Sequence, residues 1–178
     1  TNNSNDNSGD NSASHLMNNV SVQGINWEYK EKEVGTKLKV YSMQNTIAGS
    51  GDCKAENYVG GVIGKMFRNN ASNIEYIGSV TDDDYVRMSG HEDPDSAFCG
   101  GIIGFINGFR ETTDDKVSVT NCVVKNADVY GEATITQYNN PDIYVGGVIG
   151  AIYSHASDGV VYTLDNLRVI RSNVKSLG

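Results

Sequence analysis

The chain has 178 residues, with 14 Lys and Arg against 22 Asp and Glu, a formal net charge of −8. That length suits one domain of ordinary size, or two very small ones, with room for a real core. The acidic balance argues against nucleic acid or an anionic membrane surface as the main partner, and no run approaches the roughly 18 apolar residues of a membrane span.

Twenty Gly, twenty Asn and only two Pro predict many turns and stacked strands rather than helices. In chain order, the opening segment TNNSNDNSGDNSAS has no large apolar side chain and cannot bury enough surface to offset chain entropy. Residues 1–18 are therefore expected to be a flexible polar tether, with His15-Leu16-Met17 as a junction, and residues 19–178 a single repeat-built β domain. No export signal opens the chain, so any such signal or lipid anchor is expected upstream of Thr1.

From Asn19 the residues alternate. Val20, Val22 and Gly24, then Ile25, Trp27 and Tyr29, interleave with polar positions; after a turn at Val34-Gly35-Thr36, Leu38 and Val40 do the same. This period of two predicts an N-terminal hairpin. Its mixed charges, from Glu28 to Lys39, fit a solvated face with cross-strand pairs, where acids nearly cancel lysines.

The strongest signal is a repeat. Tyr58-Val59-Gly60-Gly61-Val62-Ile63-Gly64 recurs as Phe98-Cys99-Gly100-Gly101-Ile102-Ile103-Gly104 and as Tyr144-Val145-Gly146-Gly147-Val148-Ile149-Gly150, with Met66, Ile106 or Ile152 two positions on. A second segment follows each copy: Asn73-Ile74-Glu75-Tyr76-Ile77, Asn121-Cys122-Val123-Val124-Lys125 and Asn166-Leu167-Arg168-Val169-Ile170, with valines after them at Val80, Val129 and Val174. Asn19-Val20-Ser21-Val22 looks like a half-repeat of this second segment. The domain thus divides into units of about 57–97, 98–143 and 144–178. As one extended strand, the glycine motif would set Tyr58, Gly60, Val62, Gly64 and Met66 on one face and Val59, Gly61 and Ile63 on the other, apolar or glycine on both sides. Glycine weakens a strand, so three at fixed places imply tight bends or close backbone approach. The recurring aromatic can stack on its copies, and the recurring Asn suits a turn and an amide ladder between stacked units.

GGVIG followed by NCVVKNADVYG resembles the GLUG-type repeats of bacterial surface proteins over about residues 57–176, with Ile in place of the usual Leu or Val and a longer linker between the two segments. The resemblance implies a right-handed parallel β-helix, a β-solenoid of about three repeats, here with the N-terminal hairpin as its cap. A three-fold β-trefoil or β-prism is the alternative, because it too has three units of this length, and both are commonly lectins. The functional expectation is a non-catalytic cell-surface or secreted adhesion or interaction module, extracellular or anchored at an outer membrane as in bacterial surface lipoproteins, that binds a protein or glycan. The competing expectation is a polysaccharide-degrading β-helix enzyme or a lectin.

The residues that could carry chemistry are few. The glycine motif lacks the spacing of a phosphate loop or dinucleotide site. The acidic stretches Asp82-Asp83-Asp84 and His91-Glu92-Asp93-Pro94-Asp95 follow no calcium-loop spacing and are expected to be a solvated acidic loop, with calcium binding by their hard oxygens as an alternative; Asp114-Asp115 is expected to be a turn pair. The enzyme alternative would draw a carboxylate pair from Asp82, Asp84, Asp93 and Asp95. His155, with Ser154, Ser157 and Asp158 beside it, has no nucleophile elbow nearby. Tyr138, Tyr144, Tyr153 and Tyr162, with Asn139, Asn140 and Asp142, could grip a sugar or peptide, although the repeat position places Tyr144 in the core. Binding is expected instead from the variable loops 81–97, 107–118 and 131–143. Cys99 and Cys122 occupy aliphatic repeat positions and are expected to be buried, reduced thiols; Cys53 lies in a polar turn. No residue is assigned as catalytic, cofactor-binding or metal-ligating, and no cofactor is expected.

Overall fold

A computed structural model describes residues 16–23, 26–29, 32–35, 39–44, 56–67, 69–79, 84–91, 96–108, 116–134, 142–153 and 160–177. Over these the chain is all-β. The strands are β1 (Leu16–Gln23), β2 (Asn26–Tyr29), β3 (Lys32–Gly35), β4 (Lys39–Gln44), β5 (Glu56–Gly60), β6 (Ile63–Phe67), β7 (Asn70–Ile77), β8 (Tyr85–His91), β9 (Ser96–Gly100), β10 (Ile103–Asn107), β11 (Lys116–Lys125), β12 (Asp128–Thr134), β13 (Asp142–Gly146), β14 (Ile149–Tyr153), β15 (Val161–Ile170) and β16 (Val174–Leu177).

Each repeat unit contributes four strands, one to each of four sheets. The sheets are β5-β9-β13, β6-β10-β14, β1-β7-β11-β15 and β4-β8-β12-β16, and all their pairings are parallel. Strands β1 and β4 form a partial unit ahead of the three full ones. A parallel all-β stack of this kind is compatible with a β-helix or solenoid. The recurring aromatics stand in a line: Tyr58 stacks on Phe98 with ring centroids 5.4 Å apart, and Phe98 on Tyr144 at 5.1 Å. A trefoil or prism would instead distribute them around a three-fold axis.

One unit cannot enclose its own apolar residues; its neighbours do so. Register therefore turns each inward repeat position into a column running through the stack. Val20, Ile74, Cys122 and Leu167 form one such column, Val22, Tyr76, Val124 and Val169 another, and Val40, Val86, Val129 and Val174 a third. In the second unit, with a neighbour on each side, Ile102, Ile103, Ile106, Val119, Cys122, Val124 and Val129 are all fully buried. The core is centred there.

Several local expectations change. The glycine motif is not one strand: β5 and β6 are separated by a bend at Gly61 and Val62, which resets the alternation so that Val59 and Met66 both point into the core. Alternation alone cannot register such a bend. The first full unit's valine in the last column is Val86, not Val80; Val80 lies outside the described residues. The hairpin is tighter than expected and sits earlier, with Trp27 opposite Val34 and Tyr29 opposite Lys32, so Val34 belongs to a strand and not to a turn. Its register sets Glu28 opposite Glu33, a like-charged pair. Lys39–Gln44 pairs in parallel with β8 instead of closing that hairpin, because Val40 belongs to a core column; Leu38 lies outside the described residues. Among the described strands, β2 and β3 pack on each other, and β1 and β4 cover the first full unit. The expected tether reaches too far, since Leu16, Met17 and Asn18 already lie in β1; residues 1–15 lie outside the described residues.

The Asn ladder is present. Asn166 Nδ2 donates to Asn121 Oδ1 at 2.8 Å, Asn121 Nδ2 to Asn73 Oδ1 at 3.1 Å, and Asn73 Nδ2 to Asn18 Oδ1 at 2.9 Å. Asn19, Asn73, Asn121 and Asn166 all have φ between 50° and 56°, the left-handed region that Asn tolerates better than other side-chain-bearing residues. Each therefore bends its strand, and the amides of Asn73, Asn121 and Asn166 tie neighbouring units together, with Asn18, beside Asn19, as the ladder's first member. Beside the ladder, Asn70 Oδ1 accepts from the Ser118 amide and hydroxyl, both at 2.9 Å. At the corner before the last sheet, burial alone would raise the Asp128 carboxyl. Hydrogen bonds from the Tyr130 hydroxyl and from the Asn173 amide and side chain outweigh it and hold Asp128 below the usual range.

Cys99 and Cys122 are fully buried and free; Cys53 lies outside the described residues. Burial pushes the Cys99 thiol up to about 12 and raises Cys122 as well, each partly offset by a backbone hydrogen bond. The thiolate is the reacting form. Timed alkylation under native conditions should therefore label both far more slowly than in denaturant, and equal rates in the two conditions would refute this burial.

Candidate binding groove

The bend at the glycine pair folds the outward face of β5, β9 and β13 toward that of β6, β10 and β14. The first face contributes Tyr58, Phe98 and Tyr144. The second contributes two registered columns, Lys65, Phe105 and Ala151, and Phe67, Asn107 and Tyr153. Between the two faces lies a groove of about 420 Å³ that crosses all three units.

Its floor is aromatic. Phe105 leans on Tyr58 and Phe98, with centroids 5.1 and 4.6 Å away. At the first unit, Lys65 Nζ sits 4.4 Å from the Tyr58 ring centroid and donates to the Tyr58 hydroxyl at 3.1 Å, a cation held over a ring face. The Tyr58–Phe98 and Phe98–Tyr144 ring planes are within 9° and 11° of parallel, so the inner ring faces are spent on one another. Among the described residues no ring stacks on the outer face of Tyr144, which is 44% exposed. Tyr153 stands beside it at the same end, also exposed, and its backbone carbonyl accepts the Tyr162 hydroxyl at 3.1 Å. Tyr144 is thus a groove residue and not the core residue its repeat position suggested, because the aromatic column faces outward.

The structure brings Tyr144, Tyr153 and Tyr162 to one end of the stack; Tyr138, Asn139 and Asn140 lie outside the described residues, and Asp142 is an exposed residue of β13. The carboxylate set does not assemble among the described residues. Asp84 is 3% exposed and accepts from the Ser79 amide at 2.7 Å and hydroxyl at 2.6 Å, an acid committed to holding a turn. Asp82, Asp93 and Asp95 lie outside the described residues, as do Asp83, Glu92, Pro94, Asp114, Asp115, Ser154, His155, Ser157 and Asp158. Most of the expected loop 81–97 is strand, since β8 and the start of β9 fall within it and His91 is the last residue of β8. The loop 107–118 likewise ends in β11, and 131–143 begins in β12 and ends in β13. No group of three or more His, Cys, Asp or Glu that could hold a metal ion occurs among the described residues.

No family model, curated protein or solved structure matches this chain.

Sequence reasoning found the aromatic column but missed Lys65, Phe105 and Asn107. Their signal is their place after the glycine pair: once a bend separates two strands there, the residues five and seven beyond the first glycine face the aromatics of the strand before it.

Proposed function

We propose that this chain is a non-catalytic interaction module whose aromatic groove holds an extended partner, a glycan or a segment of protein. The observation that carries this reading is the groove itself. It is built on stacked strands, it crosses three units, and it ends on the open ring face of Tyr144. An open aromatic face beside hydroxyl and amide groups offers flat apolar contact together with directional hydrogen bonds. The described lining contains a cation, Lys65, and no carboxylate, which suits holding a ligand better than cleaving one. We further infer a right-handed parallel β-helix of GLUG-like repeats, on the strength of the repeat pattern and the four parallel sheets, and a place at the cell surface or outside the cell, on the strength of that resemblance alone.

The test is a glycan and protein binding screen, followed by titration of the best ligand against wild type, Tyr144→Ala and Tyr153→Ala. Loss of one stacking face corresponds to roughly tenfold weaker binding. Arg168→Ala, on the outer face of β15, should leave affinity unchanged. Equal affinity in all the variants would remove the groove from the function, and turnover of a polysaccharide would overturn the non-catalytic reading.

A further inference from the structure

The third unit is built like the second but lacks a neighbour on one side among the described residues. Leu164, Val169 and Val174 are 45%, 41% and 43% exposed, whereas the residues one unit back in the same columns, Val119, Val124 and Val129, are fully buried. These are core positions without a cover. Among the described residues, the strands that carry them also present an unpaired parallel edge, the kind that recruits another strand.

We propose that this edge docks the leading strands of a second copy of the chain, so that copies associate head to tail. Three features of the molecule select this occupant. First, it continues an interface the chain already makes between every pair of its units. Strand β1 is in register with β7, β11 and β15, so a second copy placed one strand spacing further on, about 4.8 Å, sets its Met17 over Leu164, its Val20 over Leu167 and its Val22 over Val169; its Val40 falls over Val174. Second, those leading side chains are apolar and incompletely covered: Met17 is 40% exposed, and Val20, Val22 and Val40 are half-buried. Third, the amide ladder has a polarity. Every Nδ2 donates toward the preceding unit, so Asn166 ends the ladder with its Oδ1 unused and Asn18 begins it with its Nδ2 unused among the described contacts. Head-to-tail docking joins that donor to that acceptor, whereas tail-to-tail docking would oppose two acceptors. A heterologous contact of this kind does not close on itself, so it extends beyond a dimer.

Sedimentation of the 178-residue chain over a wide concentration range tests this. The average mass should rise with concentration and pass that of a dimer. Leu164→Lys blocks the tail and Met17→Lys blocks the head; both sites are exposed, and each variant alone should remain monomeric with an unchanged melting profile. Mixed, they should form a one-to-one pair and stop there, because one intact tail meets one intact head. Asn18→Asp keeps the acceptor for Asn73 but removes the outward donor, and should weaken association at least tenfold even if a lysine variant fails to fold. A chain that stays monomeric at every concentration overturns the proposal. So does a closed dimer, or association that survives Met17→Lys.

Discussion

Gly100→Ala is expected to cost more than about 4 kcal/mol, enough to unfold a domain of ordinary stability. A Cβ built at Gly100 would lie 1.9 Å from the Ile103 carbonyl oxygen and 2.6 Å from the Gly150 amide nitrogen. Both are backbone atoms and neither is the yielding end of a side chain. The Ile103 carbonyl belongs to the first residue of β10, just past the bend of its own unit, and Gly150 belongs to the next. Relief would have to move the unit at the centre of the core. Gly64→Ala is the control, because there the nearest atom, the Tyr58 carbonyl oxygen, is 3.1 Å away and a shift of a few tenths of an ångström suffices; it should cost about 1 kcal/mol or less. Urea unfolding of the two variants measures the contrast. A Gly100→Ala midpoint close to wild type would show that the bend is not held by that contact.

Asn121→Ala should destabilise the chain by about 2–4 kcal/mol, from two separable sources. Alanine at φ 54° meets the carbonyl clash that disfavours left-handed backbone, and the ladder loses both the bond Asn121 donates to Asn73 and the one it accepts from Asn166. Asn121→Gly removes the backbone strain and keeps the ladder loss, so it should recover roughly 1–2 kcal/mol of the deficit. Chemical denaturation of the three proteins separates the terms. If Gly and Ala are equally destabilising, the backbone conformation contributes nothing and the ladder carries the whole effect.

Core residues outside the repeat motif are legible only through register. Val86 and Met88 are fully buried, yet they lie in the stretch whose run of acids suggested a solvated loop. Acid density around a short strand says nothing about which of its side chains a neighbouring unit will cover. The groove is a similar case. Tyr58, Phe98 and Tyr144 are visible as a column in the sequence, but whether that column faces the core or solvent depends on the parity of the strand relative to the bend.

The sequence by itself determined the repeat, the Val, Ile and Cys of its motif that fill the core, and the Asn ladder, because each is a short-range demand repeated at fixed places. A β-branched pattern, a φ only Gly or Asn accepts well, and an amide that meets its own copy all follow from local chemistry multiplied by the repeat. Only the tertiary structure decided that Lys39–Gln44 joins the parallel stack and leaves the hairpin to β2 and β3, that the glycine motif is two strands, and that the aromatic column lines a groove with Lys65 and Phe105. Alternation with a period of two is the same for parallel and antiparallel partners and on either side of a bend. The choice between them is made by what the far units of the chain place alongside.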